Sequence, residues 1–184
     1  MTGTINRQVF KGEKVYLGPA KKEDNEIIWK WYQDQEYYQM AYGGSPYAIT
    51  LESIEKEEAK FNDDNTVSEF RIRENGTDRL VGLTWLSGID RSFGTSHLSV
   101  NIGNPEDRGK GYGSEAIRLI CSYAFKELRL HRVALVVYQY NDRAFELYKR
   151  LGFKEEGRAR EAIYRNGRYF DCIQMGMLEG ELKA

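Results

Sequence analysis

The chain has 184 residues, 41% hydrophobic and 30% charged, with a formal net charge of -1. That balance predicts one folded domain with a real core, and argues against a disordered protein or one that grips nucleic acid through bulk positive charge. Two cysteines offer no disulfide framework and suit a reducing cytoplasm; no apolar leader opens the chain and no run reaches the ~18 apolar residues of a membrane span.

Lys14 to Gly18 alternates as a short strand that stops at Pro19. Ile27, Ile28, Trp31 and Tyr32 recur at helical spacing and predict a helix from Glu23 to about Gln33. An aromatic connection follows, with Tyr37, Tyr38, Tyr42, Gly43-Gly44, Ser45-Pro46 and Tyr47. Thr50 then caps a second helix reaching about Phe61, whose run of glutamates reads as a solvated face. From Ser68 the pattern becomes that of strands. Phe70 and Ile72, then Leu80–Leu86, flank the turn Asn75-Gly76-Thr77-Asp78, and residues 96–102 alternate as a third strand of an antiparallel meander.

The meander feeds a loop in which Gly109, Gly111 and Gly113 alternate behind Arg108. Glycine leaves no Cβ between its amide and a ligand, and the first amides of a helix lack intrahelical partners. Together they form a socket for phosphate or pyrophosphate. The next helix is the clearest in the chain, with Ala116, Ile117, Ile120, Cys121, Ala124, Phe125 and Leu128 on one stripe. Residues 132–138 form a nearly continuous apolar strand, which suggests a sheet covered on both faces. A short helix from Asn141 to Leu151 ends at Gly152, and a hairpin closes the chain around Asn166-Gly167. The expectation is a mixed α+β domain, a meander joined to a βαβ crossover.

The loop has no Gly-x4-Gly-Lys-Ser/Thr spacing, and its third glycine comes one residue too early for a dinucleotide fingerprint. Arg108-x-x-Gly111-x-Gly113 opening an amphipathic helix instead resembles the acetyl-CoA signature of the GNAT family of N-acetyltransferases. Asn141-x-x-Ala144-x-x-Leu147-Tyr148-x-x-x-Gly152-Phe153 resembles its second signature. Glu156-Gly157 and Tyr169-Phe170-Asp171 are similar to the subgroup of ribosomal-protein alanine and spermidine acetyltransferases. The likeness covers about residues 13–178, so residues 1–184 are read as a single N-acetyltransferase domain. It implies the GNAT fold: a mostly antiparallel sheet of about seven strands, splayed between strands 4 and 5 and flanked by about four helices.

By this resemblance Arg108 and the amides of Gly109, Lys110, Gly111, Tyr112, Gly113 and Ser114 would hold the pyrophosphate of acetyl-CoA. Asn101 and Ile102 would lend backbone groups to the pantetheine and acetyl carbonyl, because diverging strands leave donors without ladder partners. Asn141 suits a helix N-cap and, by the resemblance, a CoA contact; the two can coexist.

Tyr148 is the candidate general acid for the leaving thiolate, and a core tyrosine is the alternative. From unperturbed groups that proton transfer is uphill by roughly 2 kcal/mol. Many family members place a glutamate on the strand before the loop, and this strand has no carboxylate. His97 is its only titratable side chain and the candidate base; a water chain and a structural histidine are the other readings. Trp31, Tyr32, Tyr38, Tyr42 and Trp85 are expected to line the acceptor pocket, with no metal site. The acceptor would be a small-molecule amine or a protein N-terminus, and a homodimer is a family expectation. A CoA-binding sensor domain without catalysis is the competing reading, since the strand glutamate is missing.

Overall fold

The computed structural model describes residues 7–43 and 48–183. Its centre is a seven-stranded sheet ordered β1-β2-β3-β4-β5-β7-β6. The strands are β1 (Val15–Gly18), β2 (Ser68–Glu74), β3 (Leu80–Asp90), β4 (Thr95–Ile102), β5 (Arg132–Tyr138), β6 (Lys154–Arg165) and β7 (Arg168–Leu178). Every neighbouring pair is antiparallel except β4 with β5. The helices are α1 (Asp24–Gln33), α2 (Gln35–Tyr42), α3 (Leu51–Asp63), α4 (Tyr112–Lys126) and α5 (Asp142–Leu151).

The helix that composition concealed is α2, which lies where the aromatic connection was expected. Tyrosine-rich sequence is a poor helix former, but the Asp34 carboxylate accepts the amides of Glu36 at 2.8 Å and Tyr37 at 3.3 Å. That N-cap starts the helix where side-chain propensity would not. It brings the α-helices among the described residues to five, against the four or so expected. Of the expected aromatic stretch, Tyr47 and residues 44–46 lie outside the described residues. At the other end of the chain Asn166 and Gly167 take φ of 49° and 81°, the left-handed pair that a type I′ hairpin needs.

The stripe of α4 is buried against the sheet: Ala116, Ile117, Ile120, Cys121 and Ala124 are each fully enclosed. Burying one such isoleucine contributes about 1.5–3 kcal/mol. The Glu115 carboxylate fixes the same helix to the start of β1 by accepting the amides of Glu13, Lys14 and Val15 at 2.7–2.8 Å. A second, smaller core gathers Ile28, Trp31, Tyr37, Ile54, Leu80 and Leu83 between α1, α2, α3 and β3.

Strands β4 and β5 touch only over Thr95↔Arg132, Ser96↔Val133 and His97↔Ala134. Beyond that point β4 stays paired to β3 as far as Ile102↔Gly82, and β5 stays paired to β7 as far as Tyr138↔Cys172. Each strand keeps its outer partner and loses its inner one, so a gap opens. The apolar run of β5 had suggested a strand covered on both faces. Here Val133, Leu135 and Val137 are buried while Val136 is 50% exposed, because its face opens onto the gap.

Candidate active site

Helix α4 begins with Gly111 as its N-cap, at φ 92°, preceded by Gly109 at φ 85°. These are left-handed conformations that a side chain would strain. The first intrahelical bond runs from the Glu115 amide to the Gly111 carbonyl at 3.1 Å. The amides of Tyr112, Gly113 and Ser114 therefore precede the hydrogen-bond ladder and carry the positive end of the helix dipole. They open on a cavity of about 250 Å³ lined by Gly109, Gly111, Gly113, Ser114 and Arg108, and by Asn141, Arg143, Ala144, Leu147, Tyr148 and Arg150 of the α5 region.

The loop in front of this cradle is held by charge. Asp107, 1% exposed, accepts Arg79 through both oxygens at 2.6 and 2.9 Å and Lys110 at 3.0 Å. These donors hold the Asp107 carboxyl down at about 2. Glu74 is held at about 2 chiefly by the phenol of Tyr112, with Thr77 and Arg79 adding hydrogen bonds. The side chains of Lys110 and Tyr112 thus turn away from the cradle, toward Asp107 and Glu74. Only their amides remain candidates for the ligand.

The gap between β4 and β5 forms an adjoining cleft of about 400 Å³. One wall is residues 98–102, the other Val136, Val137 and Tyr138, and α2 closes a third side with Glu36, Tyr37, Met40 and Ala41. Asn101 and Ile102 lie on the strand wall. Asn141 lines both cavities, and its Oδ1 also caps α5 by accepting the Ala144 amide at 3.2 Å. Arg108 lines both as well, donating to the Gly103 carbonyl at 3.3 Å and lying 3.6 Å from Glu36. Tyr148 stands at the junction, 9% exposed, and burial pushes its phenol up to about 12. His97 is exposed, sits where β4 and β5 are still paired, and lines neither cavity. The geometry does not bring it to the cleft.

The expected acceptor-lining residues part company. Trp31 is a wedge behind β4: its Nε1 donates to Asn104 Oδ1 at 3.0 Å, and its ring fills the place where a Cβ on Gly103 would lie. Tyr38 is buried, packing edge-on against Tyr32 and tilted against Tyr42. Tyr32, Tyr42 and Trp85 do line a cavity, one of about 40 Å³ over β2 and β3, together with Phe61, Glu57, Glu58, Glu69 and Arg71. Burial pushes the Glu69 carboxyl up despite the neighbouring Arg71 guanidinium. Residues absent from the sequence reading are Glu36, Met40 and Ala41 of the cleft, and Arg143 and Arg150 of the cradle. Once α2 is missed its cleft-facing residues have no signal. The arginines could have been found, as cations seven residues apart on one stripe of the helix that carries the second signature.

An anion cradle that opens sideways into a gap between strands fits a long substrate with a diphosphate near one end and a reactive acyl group at the other. That combination defines an acyl-CoA-dependent transferase. The family model described as the acetyltransferase (GNAT) domain matches residues 14–154, and the chain belongs to that family. The spermidine N(1)-acetyltransferase of Vibrio cholerae is 33% identical over 133 residues, 71% of this chain and 76% of that protein. A prophage-derived, uncharacterized N-acetyltransferase of Bacillus subtilis is 31% identical over 132 residues, 72% of this chain and 68% of its own length. Among solved structures, spermidine N-acetyltransferase from Vibrio cholerae in complex with CoA and spermine superposes with a TM-score of 0.82 at 28% identity. It covers 91% of this chain and 96% of that one. The chain is an acetyl-CoA-dependent N-acetyltransferase with the GNAT fold.

Proposed function

We propose that this enzyme acetylates a polyamine-type cationic amine by direct transfer in a ternary complex, with Tyr148 as the acid that meets the leaving sulfur. The observation that carries the reading is the position of Tyr148, buried where the cradle and the strand gap meet. Acetyl-CoA supplies the activated acyl group. A neutral amine nitrogen forms the new bond to the carbonyl carbon, the carbon–sulfur bond breaks, and sulfur takes the phenolic proton. The surplus proton on nitrogen leaves through water and restores the phenol.

Burial keeps the phenol in its protonated form until the sulfur departs. Desolvation raises Tyr148 to about 12, so it meets the sulfur as a neutral donor. Amine deprotonation is assigned to water, since the cleft's carboxylates, Glu36 and Asp142, are both on its exposed rim. Asn101 and Ile102, with the amides from Gly109 to Ser114 and Arg108, are assigned to the CoA chain.

The 40 Å³ cavity supports the choice of acceptor class. Its volume suits one ammonium group, its rings offer π faces, and Glu57, Glu58 and Glu69 outnumber Arg71. Relatives named as spermidine acetyltransferases point the same way. Self-association, with a homodimer as the smallest form, and a reducing cytoplasmic setting that keeps Cys121 and Cys172 free remain part of this reading. The test is thiol release from acetyl-CoA with spermidine, a monoamine and a ribosomal-protein-like N-terminal peptide. The reading expects the polyamine to lead in kcat/KM. A leading peptide would overturn the acceptor class, and an absence of thiol release with all three would place the acceptor outside these classes.

A further inference from the structure

We propose that Arg143 and Arg150 hold the ribose 3′-phosphate of coenzyme A, so that the site selects coenzyme A over its 3′-dephospho form. The proposal rests on the cradle being a CoA site, as read above. Both arginines line the same cavity as Gly111, Gly113 and Arg108. They stand seven residues apart on α5, two turns or about 10 Å along one stripe, with the apolar Leu147 between them. The Arg143 guanidinium reaches the cradle itself: its Nη2 is 2.9 Å from the point a Cβ on Gly109 would occupy.

Charge accounting gives these side chains no internal partner. Arg71, Arg73, Arg79, Arg132 and Arg158 all pair with carboxylates. No hydrogen bond or ion pair holds Arg143 or Arg150 among the described residues. The one carboxylate lining the cavity, Asp107, is already taken by Arg79 and Lys110. The cavity therefore presents three guanidinium groups and no free anion. Arg108 and the helix amides suffice for a pyrophosphate, which leaves two cations for a further dianion.

Position sharpens the point. Arg150 lies in the last turn of α5, where a cation is favoured by the helix dipole, but Arg143 lies in the first turn, where a cation is disfavoured. A phosphate bound there would turn that cost into a charge-assisted contact. A monophosphate ester carries about −1.5 to −2 charges at neutral pH and accepts guanidinium donors in a fork.

Calorimetric titration of the full chain with coenzyme A and with 3′-dephospho-coenzyme A tests the assignment. The wild type is expected to bind coenzyme A roughly tenfold tighter or more, the scale of a charged hydrogen-bonded contact. The double variant Arg143→Gln/Arg150→Gln should lose that preference by weakening coenzyme A alone. Arg108→Gln should weaken both ligands together and keep the preference. A wild type without preference, or a double variant that retains it, overturns the assignment. Failure of the wild type to bind either ligand would instead remove the CoA reading of the cradle, and this inference with it.

Discussion

At the start of α4 the cradle is built on peptide amides, set by two left-handed glycines and a pinned loop. Over β2 and β3 the groups facing the small cavity are side chains, contributed by four separate elements: Tyr32, Tyr42, Glu57 and Trp85. The first surface depends on what a residue lacks, and the second on what each residue carries and where the fold delivers it. The cofactor end should therefore break through backbone changes and the acceptor end through side-chain truncation, while Tyr148 lines the cradle and the strand gap but not the small cavity.

The largest effect is expected from Gly113→Val. A Cβ there meets Ile102 Cγ1 at an ordinary 3.6 Å, so the fold accepts it, while Gly113 lines the cavity, whose room a branched side chain would reduce. CoA affinity should fall by ~100-fold or more, since burying a ligand phosphate without its amides forfeits charged hydrogen bonds. Calorimetry, with circular dichroism to confirm folding, checks this. Retained affinity would move the ligand off the helix start.

Next comes Tyr148→Phe, which should lower kcat by ~100-fold, within the range of general-acid effects, at unchanged CoA affinity. Steady-state rates together with a binding titration separate the two. Because the phenol is raised to about 12, its neutral acid form should persist, so kcat should show no alkaline fall below about pH 11.

Trp85→Ala is expected to raise KM for a polyamine by roughly tenfold while leaving CoA affinity alone, as loss of a cation–π wall would. Equal loss of both affinities would mean that the two ends are not separable. The smallest effect concerns the loop clamp. Asp107 and Glu74, both held at about 2 when folded, contribute stability that is present above the usual carboxylate range. It is lost as pH falls from ~4 through about 2. Asp107→Asn should flatten that decline in a series of thermal melts, and an unchanged acid limb would discount the clamp.

The same contrast explains what could be read beforehand. Alternating glycines, the α4 stripe and the caps Thr50, Asn141 and Gly152 are local signals, and the fold realises each of them where the pattern placed it. The parting of β4 from β5 is not local, because it depends on which outer partner each strand keeps. Helix α2 was hidden because one aspartate cap starts it against weak propensity. That omission carried Met40, Ala41 and Glu36 out of sight, and Trp31, expected in the acceptor lining, packs against Gly103 behind β4. Likewise His97 carries suitable chemistry, but the register leaves it at the closed end of the gap.

The central claim is that main-chain N–H groups at the head of α4 receive the CoA diphosphate. Amide-resolved NMR of the 21.4 kDa chain during CoA titration reads those groups one by one. The account predicts that the amides from Gly109 to Ser114 shift furthest, followed by Asn101 and Ile102 along the open strand. Saturable binding that leaves that row unmoved and perturbs another surface would contradict it.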